Sequence, residues 1–145
     1  MGGELRIRLS GARAAIEAAQ SRLGGRVVDN AASWWSDLRE QRHSFFAGDD
    51  VLWRLAVPPT TPPLELGTTL IEWHGGQRWL RARQAPPSMR ALVGALGGHA
   101  TRFRGGDAQV PVFQPLEPAV ARINTRLKAE FDPAGIFNPG KMVPQ

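Results

Sequence analysis

No cysteine occurs in the 145 residues, so neither a disulfide framework nor a thiolate metal site can form, a composition that fits a reducing compartment. No apolar run approaches the ~20 residues that span a bilayer. Met1-Gly2-Gly3-Glu4 has no signal-peptide character, and the expectation is a cytoplasmic protein. His43, His74 and His99 stand far apart, without the short paired spacings of most metal sites, so no metal is expected. Ser-His-Asp, Cys-His and P-loop patterns are missing, as are clean internal repeats, low-complexity segments and runs of like charge.

What is present suits one compact unit. A chain of this length can bury roughly 68% of its unfolded surface, and 42% of its residues are hydrophobic. Eighteen Lys and Arg against thirteen Asp and Glu give a net charge of +5, which attracts anions: nucleic acid, an acidic cofactor or an acidic partner. Because the arginines are scattered, they describe a solvated basic surface more than an unfolded binding arm.

Leu5, Ile7 and Leu9 alternate with Arg6 and Arg8, which predicts a half-buried strand. Ala12, Ala15, Ile16, Ala19 and Leu23 recur at helical spacing before Gly24-Gly25, predicting a helix over 11–24. Val27-Val28 reads as a second strand. Ser33 to Phe46 reads as a second helix, with Ser33 as N-cap and Asp37 in its early turns. Val51 to Val57 alternates as a strand that puts Arg54 on the face opposite Trp53, and the prolines of 58–63 make a stiff connector. Thr69 to Trp73 and Arg78 to Arg83 flank Gly75-Gly76 as a hairpin. A helix over Ser88 to Leu96, a strand over His99 to Phe103 and a helix over Glu117 to Phe131, with Pro118 in its first turn, complete the order. This sequence of elements predicts an α+β fold, an antiparallel sheet with helices packed on one face, of ferredoxin-like character.

The end of the chain is the most distinctive stretch. Asp132-Pro133 stops the last helix, and Asn138-Pro139-Gly140 forces a turn. The apolar pair Ile136-Phe137 between them has no room for an element of its own, so residues 132–145 are expected to dock against something else.

Phe131-Asp132-Pro133-Ala134-Gly135-Ile136-Phe137-Asn138-Pro139-Gly140-Lys141-Met142 resembles the C-terminal signature of the FAD-linked oxidases of the vanillyl-alcohol oxidase type. Four further segments narrow the resemblance to the FAD-binding (E) subunits of bacterial glycolate oxidases. They are Val51 to Pro59, Ile71-Glu72-Trp73-His74-Gly75-Gly76-Gln77-Arg78-Trp79, Gly97 to Asp107 and Val112-Phe113-Gln114-Pro115-Leu116. The resemblance implies that residues 1–145 are one C-terminal, substrate-side domain of a larger flavoprotein. The N-terminal FAD-binding domain with its glycine-rich loop would lie outside this chain, and D and iron-sulfur F subunits would be partners. It implies oxidation of glycolate with FAD as acceptor. The Glu-His pair of the catalytic subunits has no match here, so this chain alone is expected to be catalytically silent, and with the FAD-binding domain outside it the chain is not expected to hold FAD tightly. By the same resemblance Asn138, Lys141 and His99 are the candidate cofactor contacts, with no catalytic residue assigned.

Each candidate also has a plainer reading. Asn138 would only shape a turn and Lys141 only balance charge, while His99 would follow a helix C-cap as an edge-strand histidine. Glu72, His74, Arg78 and Arg81 form a polar set along the hairpin. Arg54, Glu72 and Arg78 are the candidates for a substrate or anion, since an arginine can clasp a carboxylate bidentately, although cross-strand pairs that stabilise a sheet are commoner. Trp34 and Trp35 cannot share one helix face, so one of them is expected at an interface, and self-association is anticipated. The competing class is a ferredoxin-like binding module for a small anion or RNA, with Trp53 and Trp73 stacking on bases. Nucleic acid is not the expected partner.

Overall fold

The computed structural model describes residues 3–140, which leaves Lys141 and Met142 outside the described residues. The chain divides into two compact units, Met1–Arg42 and His43–Gln145.

The first unit holds α1 (Arg13–Leu23) and α2 (Ala32–Arg39). Gly24 closes α1 in a left-handed conformation (φ 67°), its N–H bonded to the Gln20 carbonyl at 2.9 Å. The strand predicted over Leu5 to Leu9 does not form: the segment is irregular, and Leu5 and Ile7 are 83% and 52% exposed. An alternating pattern becomes a strand only with a neighbour to complete its ladder, and here Arg6 and Arg8 lie over the Trp34 and Trp35 rings instead, at 4.4 and 5.7 Å. Val27-Val28 is likewise not a strand. Trp34 and Trp35 pack edge to face with centroids 4.6 Å apart, and both are half-buried.

The single helix predicted over Ser33 to Phe46 is interrupted. Gln41 turns left-handed (φ 55°) and a 3₁₀ turn follows at Ser44–Phe46, its start fixed by the Phe45 N–H donating to His43 Nδ1 at 3.2 Å. Ala31, not Ser33, occupies the α2 N-cap, with no side-chain bond.

The second unit is built on β1 (Leu52–Ala56), β2 (Thr69–Glu72), β3 (Gln77–Arg81) and β4 (His99–Arg104), with α3 (Pro86–Ala95) and α4 (Pro118–Phe131). All pairings are antiparallel, in the order β2-β3-β1-β4. The α+β class and the β2–β3 hairpin are as predicted, and a ferredoxin-like arrangement is compatible with them. The hairpin turn is longer than a two-residue loop, running through a 3₁₀ turn at Trp73–Gly75 in which Trp73, His74 and Gly75 all have positive φ. Only glycine suits position 75, because a Cβ there would sit 2.7 Å from the Pro59 carbonyl.

One sheet face carries Trp53, Leu55, Leu80 and Ala100 and meets Met89 and Val93, one helical turn apart on α3. Trp53, Leu55, Leu80, Met89 and Val93 are at most 2% exposed, and burying such side chains contributes about 1.5–3 kcal/mol each. Trp53 therefore cannot stack on a base, which removes the aromatic pair of the RNA-binding alternative; Trp73 is 75% exposed in the turn.

α4 buries no residue: Val120, Ile123, Leu127 and Phe131 form an exposed stripe at helical spacing. Asp132 ends the helix and organises the start of the tail. Its carboxylate accepts the Ile136 and Phe137 N–H groups at 3.0 Å each and pairs with Lys128. The Ile136 and Phe137 side chains are 68% and 62% exposed among the described residues.

Candidate functional site

The face of the sheet away from α3 gathers three of the candidates, Arg54, Glu72 and His99. Ladder register places Leu70 and Glu72 of β2, Gln77, Trp79 and Arg81 of β3, Leu52, Arg54 and Ala56 of β1, and His99 and Thr101 of β4 on this face. It has two halves. Toward Leu52, the rings of Phe46, Trp79 and Phe103 stack edge to face, at 5.6 Å for Phe46–Trp79 and 4.9 Å for Trp79–Phe103. Arg81 and Arg104 both donate to the Phe46 carbonyl, at 3.2 and 2.7 Å, and so pin the 3₁₀ turn against the sheet.

The other half is polar and centred on Ala56. In register, Glu72 pairs with Gln77, Gln77 with Ala56 and Ala56 with His99; in the adjacent row Trp79 pairs with Arg54 and Arg54 with Thr101. Glu72 Oε2 accepts from Trp79 Nε1 at 2.6 Å and from Gln77 Nε2 at 3.0 Å, which fixes that carboxylate on the sheet. Thr101 is buried, Arg54 half-buried and His99 exposed at the start of the edge strand. His99 follows Gly97 (φ 72°) and Gly98 at the end of α3.

Arg78 goes elsewhere. Register pairs it with Ile71 and Leu55 on the α3 side, away from Glu72 and Arg81, so the polar set expected along the hairpin is split between two faces. Its guanidinium, only 3% exposed, donates to the Gly75, Pro62 and Thr61 carbonyls. Burial lowers its pKa. These three acceptors occupy the group that could otherwise clasp a ligand. Arg102 similarly holds the 107–110 loop through the Asp107 and Val110 carbonyls, and Arg90 reaches the Pro111 and Val112 carbonyls. Much of the arginine excess thus replaces missing ladder partners for loop carbonyls.

Asn138 takes a left-handed conformation (φ 44°) in the tail beyond α4 and belongs to no strand of the sheet, and Lys141 lies outside the described residues. Among the described residues no three His, Asp or Glu side chains gather as a metal would require, and no helix is long and apolar enough to cross a membrane. Thr101, Gln77 and Trp79 were not singled out from the sequence. Alternation alone puts Arg54 opposite Trp53, but strand order and register are needed to set Thr101 beside it.

These features define the second unit as an α+β domain whose sheet has a helix-covered core side and an open side with a fixed carboxylate and a cationic group. No family model and no solved structure matches the chain. Over 137 residues it is 40% identical to glycolate oxidase subunit GlcE of Escherichia coli strain K12, a match covering 94% of this chain and 38% of GlcE. The matched region is the C-terminal part of GlcE.

Proposed function

We propose that this chain is the C-terminal, substrate-side part of a glycolate oxidase FAD-binding subunit, contributing to the oxidation of glycolate to glyoxylate. The observation that supports this most is the 40% identity across 94% of the chain to the C-terminal part of GlcE. In this reading the N-terminal FAD-binding domain is its neighbour, D and iron-sulfur F subunits complete the enzyme, and the protein works in the cytoplasm.

FAD would supply the two-electron acceptor for the alcohol carbon. Its seat is assigned to the N-terminal FAD-binding domain of the whole subunit, with this chain beside it. Hollows of about 90 Å³ beside Leu9, Ile16 and Ala19 and about 100 Å³ beside Leu66, Met89 and Leu92 are far below the roughly 300–1,000 Å³ of a typical ligand pocket. The chain's own contribution is a wall with oriented polar groups, and catalysis by the isolated chain is not expected.

A chimera tests the reading. The matching C-terminal part of GlcE is replaced by this chain, and the chimera is expressed with the other glycolate oxidase subunits in a strain lacking GlcE. Glycolate-dependent dye reduction and co-purification are expected. A folded, assembled, flavin-loaded chimera without that activity refutes the assignment.

A further inference from the structure

We propose that Arg54 and Thr101, on the open polar half of the sheet, form a binding site for the carboxylate of a small monocarboxylic acid, with His99, two residues from Thr101 on the same face of β4, toward its other end. The fate of the arginines singles this site out. Five lie on the sheet strands: Arg54, Arg78, Arg81, Arg102 and Arg104. Four of them donate to backbone carbonyls that hold loops. Arg54 alone has no hydrogen bond or ion pair among the described residues, although it stands on the central part of the sheet and is half-buried.

Its surroundings direct it. Along β1 its same-face neighbours are Leu52, under the aromatic cluster, and Ala56; across the strands they are Trp79 and Thr101. The rings close one side, while the Ala56 methyl leaves the other open as a shallow floor between Gln77 and His99. Directly opposed side chains on a sheet begin about 5 Å apart, so the Thr101 hydroxyl and the Arg54 guanidinium can serve one carboxylate together. The guanidinium offers the planar, paired donors that a carboxylate matches.

The ligand class follows from charge. One arginine brings a single positive charge, which matches a monoanion and leaves a dianion such as phosphate half-compensated. The Glu72 carboxylate, two strands away on β2, is already held by Trp79 and Gln77 and takes no part in the site. Naming the acid as a 2-hydroxy acid rests on the proposed function; the carboxylate site does not.

The test is an NMR titration of the ¹⁵N-labelled chain with sodium glycolate, with glycolamide, sodium chloride and sodium phosphate as comparisons at constant ionic strength. Glycolate is expected to give saturable shifts at the Arg54 side chain and the Thr101 and His99 amides, and the other three are not. R54Q, checked for an otherwise unchanged spectrum, should weaken glycolate by at least about tenfold, as expected for losing a hydrogen bond to a charged group. T101V should weaken it several-fold. Absence of saturable glycolate shifts, equal shifts with chloride, tighter binding of phosphate, or unchanged binding by R54Q would each overturn the site. A positive titration beside an inactive chimera leaves the site standing and removes the functional reading. An active chimera whose glycolate KM and titration ignore R54Q does the reverse.

Discussion

Arg78→Met should be among the most damaging substitutions of a charged residue in this chain. The guanidinium is 3% exposed and bonds to the carbonyls of Gly75, Pro62 and Thr61, tying the proline connector to the hairpin turn. Hydrogen bonds to a charged group contribute about 1.5–3 kcal/mol each net of desolvation, so three at the low end total about 4–5 kcal/mol. Water reaching the two connector carbonyls restores part of this, and methionine keeps the aliphatic packing, leaving a loss of about 3 kcal/mol. For a unit of this size that is a Tm decrease of roughly 14 °C. The assay is urea and thermal unfolding followed by tryptophan fluorescence, since Trp53 and Trp79 are buried. Arg78→Lys should recover only part of the loss, because one ammonium cannot span three carbonyls. Arg54→Met, on the same sheet but with no hydrogen bond or ion pair among the described residues, should change stability by less than about 0.5 kcal/mol. A Tm change under about 2 °C for Arg78→Met, or equal effects at positions 54 and 78, would refute the argument that Arg78 is a structural staple.

Gly98→Ala should destabilise by about 1–3 kcal/mol, because the new Cβ would collide with the Ala56 carbonyl oxygen and lie 2.9 Å from Val57 and 3.1 Å from Val93 side-chain carbons; an unchanged unfolding midpoint would show that β4 can move aside freely. The Asp132 carboxyl is held below its ordinary value by Lys128 first and then by the Phe137 and Ile136 N–H groups. A depressed folded pKa stabilises fully above the unfolded value of about 3.9 and is lost as pH falls through the folded one. The Ile136 and Phe137 amide shifts should therefore hold to about pH 4 and move only below it, and a midpoint at or above 3.8 would contradict the geometry. Leu127, 50% exposed in the α4 stripe, should drive self-association of the chain, so Leu127→Glu should lower the light-scattering mass without changing Tm; a wild-type chain that is already monomeric would remove this prediction's basis.

The second unit was legible wherever a short-range pattern and the tertiary outcome coincide. Trp53, Leu55 and Val57 alternate and do face one core; glycines at 75 and 76 sit between two strand runs and do make the turn; Pro118 does open the last helix. The first unit was misread where a local pattern needed a partner. Leu5, Ile7 and Leu9 alternate as a strand would, but alternation states only what a neighbour could bury, and their arginine companions find tryptophan faces instead. The long helix differs for the opposite reason: nothing in Glu40-Gln41-Arg42 forbids a helix, and the break shows only in the backbone, as the positive φ of Gln41 and the 3₁₀ turn at Ser44–Phe46.

The candidate site shows the same division more sharply. From sequence, Arg54 and Arg78 are equivalent: strand arginines with an anion's preferred chemistry. Their register separates them, since one strand step changes the face, and that single change sends Arg78 toward the connector carbonyls and leaves Arg54 beside Thr101 and Ala56. Charge count could not make this distinction either, because an arginine bound to carbonyls contributes the same +1 as one awaiting a ligand. A basic composition in a loop-rich α+β domain is therefore weak evidence for an anionic partner until the arginines that staple loops have been set aside. In this sheet that leaves Arg54, and the ligand question reduces to what a single guanidinium beside the Thr101 hydroxyl will accept.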